Sequence, residues 1–192
     1  KLVSTSNVGC SSDSNNKSVY IFPNPISNLS VNDSQQCVFG NQFIFTNSSS
    51  IIYGSLSYAW NFGDGNTSTA NNPSHTYASD DTFTVWLLAN SNLNCSDSAL
   101  VTTYVFPKPL PAFSINDSQQ CFNGNQFVFT NNSTINTGSQ TYYWDFGDGS
   151  FSSLASPTHS YSTDDTFTVK LVNSSDLGCS DSLVKTVYVF PN

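Results

Sequence analysis

Five cysteines and two histidines are the residues of this 192-residue chain with the most chemistry to offer, and their spacing is regular. Cys37 and Cys121 lie 84 positions apart, as do Cys95 and Cys179, and His75 and His159; Cys10 precedes them all. Two cysteines per unit, with no Cys-x-x-Cys, point to structural disulfides rather than a metal site, and so to an oxidising compartment. Catalysis needs an acid, a base and a nucleophile that converge. One histidine per unit, always in the same motif, predicts a structural hydrogen bond near a core, and the chain is expected not to be an enzyme. Asp64 and Asp148, or the pairs Asp80–Asp81 and Asp164–Asp165, offer oxygens of the kind Ca²⁺ takes. No Asp-x-Asp-x-Asp loop is present, so turn capping is the expected role, with no metal and no cofactor.

The interval of 84 residues organises the whole sequence. Residues 24–107 and 108–191 align without a gap, with about 47 identities in 84 positions. Residues 1–23 are also repeat sequence: Lys1-Leu2-Val3 and Gly9-Cys10 match Lys170-Leu171-Val172 and Gly178-Cys179, and Tyr20-Ile21-Phe22-Pro23 matches Tyr104-Val105-Phe106-Pro107. The expected organisation is 1–23, the last strands of a truncated preceding module; 24–107, a full module; and 108–192, a second. The chain then reads as a segment of a longer array. A rarer alternative has residues 1–23 donated to a neighbouring subunit's open sandwich.

Alternation identifies the strands that carry these residues. Phe43 and Phe45 share one face, as do Tyr58, Trp60 and Phe62, and as do Phe83, Val85 and Leu87. The second copy keeps Phe167, Val169 and Leu171 apolar but replaces Trp86 with Lys170, so position 86 faces out. With a first strand near 29–32, a last near 99–106 and short ones near 66–70 and 75–78, each module has about seven strands. That number suggests an immunoglobulin-like β-sandwich. Composition agrees: the helix formers Glu, Arg and Met are missing, while Ser, Thr, Asn, Val, Phe and Tyr abound. The net charge of −8 gives no basic footprint for nucleic acid, and no apolar run approaches the roughly 18 residues a membrane span requires.

Trp60-Asn61-Phe62-Gly63-Asp64-Gly65 and Trp144-Asp145-Phe146-Gly147-Asp148-Gly149 anchor a strand by its aromatics and turn it on two glycines, with an aspartate placed to accept turn amides. His75-Thr76-Tyr77 and His159-Ser160-Tyr161 follow, then Asp-Asp-Thr-Phe-Thr-Val in both copies. This series resembles the PKD (polycystic kidney disease) repeat across both modules and, through its last strand, residues 1–23. Asp80-Asp81 and Asp164-Asp165 stand where a Pro-Gly turn is commoner. The resemblance implies tandem immunoglobulin-like sandwiches in a head-to-tail rod, used extracellularly. Gln-Cys before Gly-Asn-Gln-Phe, with Cys-Ser-Asp-Ser near the end, is similar to modules of very long Bacteroidota surface adhesins, some of which serve gliding motility.

Two disulfide patterns remain open. The simple pairing is Cys37–Cys95 with Cys121–Cys179. In such a sandwich, however, the turns that hold the two cysteines lie at opposite ends, while disulfide Cα atoms sit about 4.4–6.8 Å apart. The second pattern joins Cys37 to Cys179 across two modules and leaves Cys10, Cys95 and Cys121 for absent neighbours. Asp97-Ser98-Ala99 and Asp181-Ser182-Leu183 resemble a Bacteroidota O-glycosylation motif, which makes Ser98 and Ser182 candidate attachment sites; the Asn-x-Ser/Thr triplets are what this composition generates by chance. The expected function is a stalk or filament segment of a bacterial cell-surface adhesin. Its partners would be neighbouring modules of the same chain, and other filaments or surface ligands. The alternative is a spacer, or a carbohydrate- or protein-binding module, of a secreted enzyme.

Overall fold

The computed structural model describes residues 2–3, 7–8 and 14–192, and among them there are strands and no helices. No helix is long and apolar enough to cross a membrane. The first strands, β1 (Leu2–Val3) and β2 (Ser14–Asn15), are short and antiparallel. The first module carries β3 (Leu29–Val31), β4 (Gln35–Cys37), β5 (Phe43–Asn47), β6 (Leu56–Asn61), β7 (Thr67–Ser68), β8 (Ser74–His75), β9 (Asp81–Ser91) and β10 (Ser96–Phe106). The second repeats them as β11 (Phe113–Ile115), β12 (Gln119–Cys121), β13 (Phe127–Asn131), β14 (Gln140–Asp145), β15 (Phe151–Ser152), β16 (Thr158–His159), β17 (Thr166–Ser175) and β18 (Ser180–Phe190).

Each module is a sandwich of two sheets. In the first, a five-stranded sheet β4-β10-β9-β6-β7 faces a three-stranded sheet β3-β5-β8; in the second, β12-β18-β17-β14-β15 faces β11-β13-β16. Alternating side chains decide which face is inside. Phe43 and Phe45 from the small sheet meet Trp60, Val85 and Leu87 from the large one, and all five are essentially inaccessible to water. The second module builds a separate core of the same design on Phe127, Phe129, Trp144, Val169 and Leu171. Burying each of these large side chains contributes roughly 1.5–3 kcal/mol, so either module holds enough apolar contact to fold around its own centre. Position 86 faces outward, as Trp86 on β9 and Lys170 on β17.

Two features depart from the strand pattern read in the sequence. Cys37 is not in a turn: it ends β4, which runs parallel to β10 with Gln35, Gln36 and Cys37 opposite Tyr104, Val105 and Phe106. The second module repeats this pairing with Cys121 opposite Phe190. The last strand also begins earlier than expected, at Ser96 and Ser180, and forms a long hairpin with β9 or β17. The pairs Leu2↔Asn15 and Val3↔Ser14 have the register of Leu171↔Leu183 and Val172↔Ser182 in that hairpin. Among the described residues these two pairs share that register, while residues 16–25, which match the end of a module's last strand in sequence, form no strand.

Candidate functional site at the joint between modules

The histidine motif is a local lock. Trp60 is buried and its indole N–H donates to the Ala70 carbonyl at 2.9 Å; Trp144 does the same to Leu154. Asp64 Oδ1 accepts the Asn66 amide at 3.0 Å, while Oδ2 accepts from Asn66 Nδ2 at 2.9 Å and from His75 Nε2 at 2.7 Å. The His75 ring stacks on Phe62, with centroids 4.3 Å apart, and meets the edge of Tyr77, whose hydroxyl donates to the Phe62 carbonyl at 2.7 Å. His159, Asp148, Phe146 and Tyr161 repeat the histidine–aspartate bond, the ring stack, the edge contact and the tyrosine–carbonyl bond. Burial raises the Asp64 carboxyl, but the hydrogen bonds from Asn66 and His75 outweigh it and hold the group below the usual carboxylate range. At Asp148 burial is likewise outweighed, by bonds from Ser150 and His159.

In the second module Ser150 Oγ lies 3.3 Å from His159 Nε2 and also bonds Asp148, which brings serine, histidine and aspartate together. The arrangement is not a proton relay. A relay puts the nucleophile and the carboxylate on opposite ring nitrogens, whereas here both meet Nε2. The first module has Asn66 at this position. Both oxygens of Asp64 and both of Asp148 are engaged by turn and histidine donors. Asp80 and Asp81 do not join them, and no group of three candidate metal ligands forms among the described residues.

A polar residue absent from the sequence reading completes the lock. Asn41 is buried; its Nδ2 donates to the carbonyls of Val38 (2.7 Å) and Tyr77 (2.8 Å), and its Oδ1 accepts the Tyr77 amide (2.8 Å). Asn125 makes the same three bonds. The available signal was the Gly-Asn-Gln-Phe tetrad, identical in both copies. The lock thus braces the loop that follows Cys37 against the His-x-Tyr strand.

The chemistry that is not purely local lies where the modules meet. A disulfide joins Cys37 to Cys179, with Cα atoms 5.7 Å apart and a sequence separation of 142. The alternative pairing within a module fails on distance. Cys37 sits opposite Phe106, at the end of β10, and Cys95 immediately precedes Ser96, at its start. About ten residues of strand separate the two, roughly 33 Å at the usual rise. Cys121 and Cys179 are separated in the same way along β18. Cys95 is half-buried and Cys121 exposed, and both are free thiols; Cys10 lies outside the described residues.

Around the disulfide the joint is closed by further contacts. Lys108 Nζ stands 4.6 Å over the Phe39 ring and 2.9 Å from Asp181 Oδ2. In the first module the matching Asp97 accepts the Ser27 amide; Pro111 has no such hydrogen to give, and Asp181 takes the lysine instead. Asn136 Nδ2 reaches Asp80 at 3.4 Å. Pro107 and Pro109 are buried. Two small clefts flank the linker, about 400 Å³ between Phe39, Asp80 and Ile135, and about 310 Å³ between Phe106, Thr137 and Leu177. Ser98 and Ser182 are exposed on the outer faces of β10 and β18, and Ser182 directly follows Asp181, the partner of Lys108 at the joint.

The PKD domain family model matches residues 24–105 and again 108–190. Among solved structures, the PKD1 domain of Vibrio anguillarum Epp is 28% identical, covering 44% of this chain and 96% of that one, with a TM-score of 0.39. The PKD1 domain of the Vibrio cholerae metalloprotease PrtV is 31% identical over 43% of this chain and 98% of its own, also with a TM-score of 0.39. Matched over nearly all of both modules, this chain belongs to the PKD domain family.

Proposed function

We propose that the chain is a stretch of extracellular stalk in a repetitive bacterial cell-surface adhesin, holding a distal binding region away from the cell and transmitting tension to it. The observation that supports this reading is the covalent bond across the joint. Tension entering at the first module passes from Cys37 directly to Cys179, so residues 38–178 are shielded from the pull. A flexible spacer has no need of such a bypass, and a disulfide that ties separately folded modules together acts on their relative position. The roles of the repeated His–Asp lock and the buried asparagines are to hold the disulfide's footing. The modules themselves are structural rather than catalytic, and an oxidising, extracellular setting keeps the bond intact.

The second reading, a binding module, has one observation in its favour. Trp86, Leu88, Thr67 and Ser98 line a shallow cleft of about 610 Å³ on the outer face of the first module. Lys170 replaces the tryptophan in the second module, so the cleft is not a repeated property of the array. Single-molecule pulling from the two chain ends separates the readings. Under oxidising conditions the chain is expected to release only the contour outside residues 37–179. Reduction is expected to add roughly 500 Å, the extended length of the shielded segment. Equal contour lengths before and after reduction would show that the bond carries no tension and would overturn the stalk reading.

A further inference from the structure

We infer that Cys95 and Cys121 are the two unjoined halves of the same staple, each fitted to another PKD module in the same polypeptide, so that disulfides interleave along the array. The inference rests on the stalk reading and extends it from one joint to all of them.

Equivalent positions differ in burial between the covered and the open ends. At the lower end of the first module, where the second module docks, Cys37, Asp80 and Phe106 are half-buried and Pro107 is buried. At the lower end of the second module the same positions are Cys121, Asp164, Phe190 and Pro191, and all four are exposed. At the upper ends, Cys179 is 1% exposed under its partner, while Cys95 is only half-buried. The backbone that presents each thiol is the same in both modules: Cys121 is held opposite Phe190 as Cys37 is opposite Phe106, and the amides of Cys95 and Cys179 each donate at 3.1 Å to a serine hydroxyl, Ser91 or Ser175. Exposed Ile26, Ile52 and Tyr53 occupy the positions that Leu110, Asn136 and Thr137 take beside the closed joint. The open ends therefore carry the same two thiols on the same backbone, with Asn123 and Ile52 standing where Phe39 and Asn136 line the joint already made, and the matched pair of thiol positions points to a module of this kind as the occupant.

Interleaving has a mechanical consequence. Cys95 and Cys121 lie only 26 residues apart in sequence, across β10, the linker, β11 and β12. In a continuously stapled array, the covalent route between one bond and the next would be such a 26-residue segment for every two modules, with a second route offset by one module. Fully extended, that segment spans roughly 90 Å, against roughly 590 Å for two unstapled modules. Maximum extension would fall about sixfold.

The test extends the whole chain: a second copy of residues 108–192 is placed after Pro191, with Cys121 of that added copy changed to Ser, and the product is oxidised and mapped without reduction. The expected result is a monomeric chain in which Cys37 is joined to the original Cys179 and Cys121 to the Cys179 of the added copy, told apart in mass by Ser180→Thr in that copy, both in full yield, with alkylation of Cys121 at least tenfold below that in the two-module chain. A freely alkylated Cys121, or Cys121 joined only in higher-mass species, would overturn the inference while the Cys37–Cys179 link still stood. Loss of that link as well would remove the staple on which the stalk reading depends.

Discussion

At the scale of the residue, the Asp–His pair shows how a catalytic-looking constellation serves structure. His75 and Asp64 are 14% and 18% exposed, the ring is flat against Phe62, and the carboxylate already serves turn amides. The folded carboxyls of Asp64 and Asp148 lie below their ordinary value of 3.8. Their contribution is therefore fully present above about pH 4 and is lost as pH falls through the lower folded value. Asp64→Asn keeps the shape but removes the charge, and should cost about 1.5–3 kcal/mol at neutral pH, the range for a hydrogen bond to a charged group. Urea melts at pH 7 and pH 3 check both points: the gap between wild type and variant should close at the lower pH. A gap that is unchanged at pH 3 would mean that the carboxylate charge is not what the turn uses.

At the scale of the element, the β6–β7 and β14–β15 turns set where the lock forms. Gly63 has φ +87°, and a Cβ there would lie 2.8 Å from the Thr84 carbonyl oxygen on β9; Gly65 has φ +92° but open space around it. Gly65→Ala should cost only the left-handed backbone term, about 1–2 kcal/mol. Gly63→Ala should cost visibly more, because the turn must also move off β9, and thermal melts of the two variants would show the difference. Equal losses would mean that the turn relaxes away from β9 freely. The strands that such turns join were legible because period-2 alternation was replicated: Phe43, Phe45, Trp60 and Val85 each have an apolar twin one repeat later. The strand β4 was not legible, since Gln35-Gln36-Cys37 has no alternation and exists only by pairing with β10, far along the chain. Asn41 was hidden for a related reason, because a polar loop residue becomes structural only when remote carbonyls converge on it. The histidine motif could be read because its residues lie within one short stretch; the joint could be read only as two open pairings of cysteines.

At the scale of the whole molecule, the staple makes the stability of each module depend on the other. With the first module folded, the bond pins Cys179 to it, so an unfolded second module is no longer a free chain but a closed loop running from Pro107 to Cys179. The same holds in reverse for residues 37–107. Closing a loop of this length lowers the entropy of the unfolded state, typically by an amount worth about 2–4 kcal/mol, and in modules this small 1 kcal/mol moves the melting temperature by about 4–8 °C. Cys37→Ser should therefore lower the melting temperature of both modules by on the order of 10 °C, although Cys37 belongs to only one of them. Calorimetry of the oxidised chain, the reduced chain and the variant checks this, and the last two should agree. If only the first module lost stability, the disulfide would be acting as a local brace within its own sandwich. Loss in both would show that the joint, rather than the single sandwich, is the unit this sequence is built to stabilise.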